Sequence, residues 1–76
     1  MAMAYVLINT ELGKETELMK ELKSIEGVKE VYFVYGVYDI IVKVEAESVE
    51  KLKEVVINKI RRIDKVRSTL TMMVIT

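Results

Sequence analysis

The segment Tyr35-Gly36-Val37-Tyr38-Asp39 puts one carboxylate and one glycine at the mouth of a hairpin between two apolar runs. A carboxylate there can hold a cation, and a glycine lets a ligand approach the backbone with no side chain in the way. Near the C-terminus, Ser68-Thr69-Leu70-Thr71 adds hydroxyl donors, with Thr69 and Thr71 on one face of a strand-like run. This is recognition chemistry. Each piece also has a purely structural reading. Asp39 can cap the hairpin, Gly36 can serve turn geometry, Tyr35 and Tyr38 can be strand aromatics instead of pocket walls, and the threonines can be β-branched strand formers. Residue type alone leaves both readings open.

Catalysis has few candidates by comparison. The 76 residues contain no His and no Cys, which removes the commonest general base, thiolate nucleophiles, disulfides and the usual transition-metal ligands. The acids alternate with lysines on helix faces, as in Glu17–Glu21, Glu50–Glu54 and the i,i+4 pair Glu47–Lys51, a pattern of solvated surface. The three glycines are isolated, so no phosphate loop forms, and no Ser sits in a nucleophile elbow. No enzyme activity, no metal and no cofactor is expected. Lys59, Arg61, Arg62, Lys65 and Arg67 form a basic stretch that can touch phosphate, but a helix C-terminus and its following turn are the favoured account of it. Twelve basic and twelve acidic residues cancel, so the chain is no polycation. An RNA-binding domain of the topology derived below needs stacking aromatics on both central strands, and Ile40–Glu45 has none. No apolar run reaches membrane-span length and residues 1–9 lack a signal-peptide pattern. A cytoplasmic protein without nucleic-acid or membrane partners is expected.

The elements that must position these groups follow from periodicity. A β-rich run over Ala4–Asn9 is the first strand. Leu18, Leu22 and Ile25 at i, i+4 and i+7 predict a helix from about Lys14 to Ile25, with Gly27 as its left-handed stop. Val28–Tyr35, a turn at Gly36-Val37, and Tyr38–Glu45 make a hairpin. Ser48 is a good N-cap for a second helix with its buried stripe at Val49, Leu52, Val56, Ile60 and Ile63. Val66–Ile75 is the last strand. Strand-helix-strand twice over is a single α+β domain over 1–76 of ferredoxin-like βαββαβ type, a four-stranded antiparallel sheet with two helices on one face.

One face of such a sheet is left bare, and here it is not polar. If Ile40, Val42 and Val44 face the helices, Asp39, Ile41, Lys43 and Glu45 face away, and the strand over Ala4–Asn9 is apolar on both parities. A patch of this size on a monomer is unusual. The chain is therefore expected to dimerise sheet to sheet, with Asp39 projecting towards that face.

The run Val31-Tyr32-Phe33-Val34-Tyr35-Gly36-Val37-Tyr38-Asp39-Ile40, followed by Lys59-Ile60 and by Val66-Arg67-Ser68-Thr69-Leu70-Thr71, resembles the effector-binding domain of the Lrp/AsnC transcription factors. That module is also called the regulation-of-amino-acid-metabolism (RAM) domain. The resemblance covers the chain from Tyr5 to Ile75. It implies a sheet-to-sheet dimer of dimeric α/β-barrel type, rings of dimers such as octamers, and small effectors, typically amino acids, bound between dimers near the hairpin. It further implies that Gly36 and the backbone after it meet the ligand carboxylate, with any side chain at Gly36 crowding the ligand. By the same likeness Asp39 holds the α-ammonium, Tyr38 flanks the site, and Thr69 and Thr71 close it from a neighbouring subunit. Family members carry an N-terminal helix-turn-helix, whereas here the first strand starts almost at Met1. A stand-alone sensing module that co-assembles with full-length regulators is the expectation.

Three other readings compete. An ACT-type regulatory domain shares the topology but binds at the loop after the first strand, and Thr10–Lys14 offers one Gly and no cradle. A small dimeric α+β barrel monooxygenase would need a polar cavity constellation that the sequence lacks. A purely structural oligomerisation module fits the same apolar pattern.

Overall fold

The computed structural model describes residues 1–75. The chain runs β1 (Ala2–Thr10), α1 (Glu15–Lys23), β2 (Val28–Phe33), β3 (Ile40–Ala46), α2 (Val49–Glu54) continued by a π-helical segment (Val55–Ile60), and β4 (Val66–Met73). The four strands are antiparallel in the order β2-β3-β1-β4. This is the βαββαβ ferredoxin-like architecture expected from the pattern.

The core lies between the helices and one sheet face. Ala4, Val6 and Ile8 of β1 stand opposite Val44, Val42 and Ile40 of β3, and all six are fully buried. Leu18 and Leu22 from α1, Leu52 from α2, and Val56 and Ile60 from the π segment cover them. Each such side chain contributes roughly 1.5–3 kcal/mol on burial, which is how so short a chain holds one layer of helices on one sheet.

The second helix departs from the expected continuous α-helix. Ser48 caps it as predicted, accepting a hydrogen bond from the Lys51 N–H through its side chain at 3.2 Å. After Glu54 the backbone widens to π geometry, with Arg61 N–H bonded to the Val56 carbonyl at 3.0 Å. Leu52, Val56 and Ile60 are four apart, a spacing that a wider helix keeps on one face. Val49, placed in the buried stripe by the sequence, is 44% exposed.

Element ends differ in smaller ways. The first helix stops at Lys23 and not Ile25, and Gly27 takes its left-handed φ of +101° in the turn into β2. Gly27 is needed there, because a Cβ would lie 3.2 Å from the Glu45 carbonyl oxygen while Glu45 N–H donates to Gly27 O at 2.8 Å. β1 begins at Ala2 and ends at Thr10, and β4 stops at Met73, though Val74 N–H still bonds Met3 O at 2.9 Å. The hairpin connection is longer than a turn at Gly36-Val37, since β2 ends at Phe33 and β3 begins at Ile40.

The opposite sheet face carries Met3, Tyr5 and Leu7, beside Ile41 on one flank and Leu70 and Met72 on the other, with Tyr32 beyond Ile41. Tyr32, Leu70 and Met72 are 52%, 45% and 47% exposed. Three charged residues interrupt this surface: Lys43 lies 3.7 Å from Glu30 and 3.6 Å from Glu45. The carboxylate of Glu30, foremost, raises the Lys43 ammonium above its ordinary range. The anticipated Glu47–Lys51 pair is not among the ion pairs of the described residues.

Candidate ligand-binding site

The hairpin is closed at its base by Asp39. Its carbonyl accepts from Val34 N–H at 2.7 Å, and its own N–H donates to Ile8 O at 3.0 Å, extending the β1–β3 ladder by one residue. Residues 35–38 therefore hang outside the sheet as a bend. Tyr35 and Val37 are fully or largely exposed, while Tyr38 is half-buried. Gly36 does not use a left-handed φ, and a Cβ built on it meets no atom of its own chain within 4 Å. Its glycine character is not explained by turn geometry.

The Asp39 side chain turns to the end of β1. Oδ2 accepts a hydrogen bond from the Thr10 backbone N–H at 3.3 Å, and Oδ1 accepts none among the described residues. Around it opens a slot of about 450 Å³ lined by Asn9, Thr10, Asp39, Arg67 and Ser68. Asn9 Nδ2 donates to Ser68 Oγ at 3.2 Å, and Thr10 Oγ1 donates to the Lys65 carbonyl at 3.2 Å. No apolar side chain lines the slot.

A bulge shapes its far wall. Asn9 pairs with Ser68 and Thr10 with Val66, so Arg67 is the extra residue of β4. An extra residue bends its strand and re-aims side chains, a device common beside functional sites. Asn9 and Thr10 were not singled out by the sequence reading. Their only signal was a pair of polar residues ending an apolar strand.

Thr69 and Thr71 do share a face, but it is the helix side of the sheet, opposite Ile8 and Val6. Within one chain neither lines the slot beside Asp39. Thr71 Oγ1 instead accepts from Arg61 Nη2 at 3.5 Å beside the π segment. Of the five predicted residues the slot takes in Asp39 alone; Gly36 and Tyr38 lie in the adjoining hairpin outside its lining, and so do the two threonines. The basic stretch also disperses. Lys65 Nζ bonds Glu21 Oε1 at 2.8 Å and ties the turn before β4 to α1, Arg61 reaches Thr71, and Arg67 lines the slot. The hydrogen bond to Glu21, ahead of burial acting the other way, raises the Lys65 ammonium above its usual range.

Chemically, the slot can bind small polar or charged groups. Among the described residues no three His, Cys, Asp or Glu side chains are gathered to hold a metal ion. No helix among them is long and apolar enough to cross a membrane.

Residues 3–76 match the family model described as the Lrp/AsnC ligand binding domain. The chain is 40% identical over 57 residues to the regulatory protein AsnC of Escherichia coli K12, covering 75% of this chain and 38% of that protein. It therefore spans well under two thirds of the curated relatives it matches. The solved E. coli AsnC structure superposes with a TM-score of 0.91 at 32% identity, over 99% of this chain and 51% of that one. The crystal structure of FFRP-DM1 superposes with a TM-score of 0.95 at 43% identity, over 99% of this chain and 100% of that one. The chain is also 45% identical over 60 residues to homocitrate synthase of Sulfurisphaera tokodaii, covering 79% of this chain and 13% of that enzyme.

Proposed function

The chain belongs to the Lrp/AsnC ligand-binding domain family, and we propose that it senses a small effector, an amino acid, and assembles in response. The observation that carries this reading is the Asp39 carboxylate. It is fixed through Oδ2 at the end of β1, Oδ1 makes no hydrogen bond among the described residues, and the residue lines a polar slot. A carboxylate so held is suited to an ammonium group, because a fixed anion binds a cation without first being ordered. Gly36 and the backbone after it take the ligand carboxylate, with room made by the absent side chain. Tyr38 forms a wall. Thr69 and Thr71 act from a neighbouring subunit, consistent with their absence from the slot lining in their own chain.

The bare sheet face supports a homodimer, since a second copy buries Tyr5, Leu7, Ile41, Leu70 and Met72. Dimers then associate into a ring such as an octamer, with effectors between dimers. A ligand that binds only the assembled state stabilises it by RT ln(1 + [L]/Kd). Full-length Lrp/AsnC regulators are proposed partners, and the reading is non-catalytic and cytoplasmic. Light scattering on the purified chain, with and without the twenty amino acids, tests it. A ligand-dependent rise from dimer to ring supports sensing, and a mass and melting temperature unmoved by every amino acid contradict it.

The likeness to homocitrate synthase favours a second reading, in which the same sensing site acts on an enzyme and not on a transcription regulator. The ligand chemistry is shared by both readings, and the partner differs.

A further inference from the structure

We propose that Arg67 makes the slot bipolar and selects an effector with a second anionic group, an acidic amino acid, over aliphatic ones. The inference rests on the amino-acid-sensing reading above and assigns a specificity residue and a ligand class to it. Asp39 precedes β3 and Arg67 belongs to β4, so the two residues flank the end of β1 from opposite sides. Both line the same slot, yet no ion pair joins them. Opposite charges that share a concavity without meeting leave room for a molecule carrying the complementary charges.

The bulge gives Arg67 its place. It is the residue of β4 without a cross-strand partner at the shift between Asn9 and Thr10, and it lines the slot. The ion pairs among the described residues use Lys43 and Lys65 and leave the Arg67 guanidinium without a carboxylate. A guanidinium presents a planar fork that matches a carboxylate through two parallel hydrogen bonds. With the ammonium on Asp39 and the α-carboxylate on the hairpin backbone, the group left for Arg67 is a side-chain carboxylate.

The rest of the lining agrees. Asn9 offers a carboxamide, and Thr10 and Ser68 offer hydroxyls. A site for a leucine or isoleucine side chain is walled by apolar groups, and this slot has none from its own chain. Glutamate or aspartate fits the charges, whereas an aliphatic amino acid leaves Arg67 facing a methyl group.

Titration calorimetry on the assembled protein, comparing wild type with Arg67→Gln, tests the assignment. Arg67 is exposed, and circular dichroism and light scattering verify that the variant keeps its fold and assembly. Wild type is expected to bind L-glutamate or L-aspartate at least tenfold more tightly than the matching amide or L-leucine. Arg67→Gln is expected to lose that preference while still binding the amide. Equal glutamate affinity in the two proteins, or leucine bound more tightly than either acid by wild type, overturns the role of Arg67 and leaves amino-acid sensing intact. No heat from any amino acid with wild type overturns both.

Discussion

Asp39 and Thr10 are joined across the end of a central strand, with Oδ2 of the one accepting the backbone N–H of the other at 3.3 Å. The contact ties the hairpin to the last residue of β1. There the register with β3 ends at Ile8 while the pairing with β4 runs on through the bulge to Thr10. In the proposed site the same carboxylate makes this structural bond and receives the ligand ammonium, with Oδ1 making no hydrogen bond among the described residues.

Replacing the charge separates these roles. Asp39→Asn keeps the shape and an acceptor for Thr10 N–H, so stability should fall by about 1 kcal/mol, the difference between a hydrogen bond to a charged acceptor and one to a neutral acceptor. Effector heat in calorimetry should vanish, and the dimer should persist by light scattering. Unchanged affinity removes Asp39 from the site.

Two glycines should respond in opposite ways. Gly27→Ala forces a left-handed φ on an L side chain and sets its Cβ 3.2 Å from the Glu45 carbonyl, so a loss of about 1–2 kcal/mol is expected in urea unfolding. Gly36→Ala meets open space in its own chain and should leave stability within about 0.5 kcal/mol. If the hairpin backbone meets the ligand, that same variant weakens effector binding while folding normally.

The bare face can be broken without touching the core. Leu70 is 45% exposed in the single chain and stands opposite Leu7. Leu70→Glu should therefore fold with the same circular dichroism, yet put a carboxylate into the sheet-to-sheet contact. The expected outcome is a folded monomer by light scattering. A dimer of unaltered stability places the interface elsewhere.

The cap of the second helix is a simple check on the fold. Ser48→Ala removes the side-chain acceptor for Lys51 N–H and should lower stability by about 1 kcal/mol.

Much of the fold was legible because its signals were local. Ile40, Val42 and Val44 alternate cleanly, Leu18 and Leu22 repeat at four, and Ser48 caps as its type suggests. The bare face was legible because β1 is apolar on both parities. What escaped depended on non-local pairing. Tyr35, Val37 and Tyr38 are strand formers by type, so nothing in them marks the point where the ladder ends. That point is set by Asp39 bonding to both Val34 and Ile8. The π segment was hidden because Leu52, Val56 and Ile60 at intervals of four suit an α-helix as well. Asp39 was found by its chemistry, but Asn9, Thr10 and Arg67 join it only through a one-residue slip between β1 and β4. No residue in Val66-Arg67-Ser68 announces that slip.

A crystal of the protein soaked with amino acids tests the central claim most directly, because it reads the position of the ligand itself. The predicted result is an amino acid with its ammonium on Asp39, its α-carboxylate at the Gly36 backbone, and threonines of a neighbouring subunit over it. Density at the Thr10–Lys14 loop, or an empty slot beside Asp39 at saturating concentrations of every amino acid, would contradict the account.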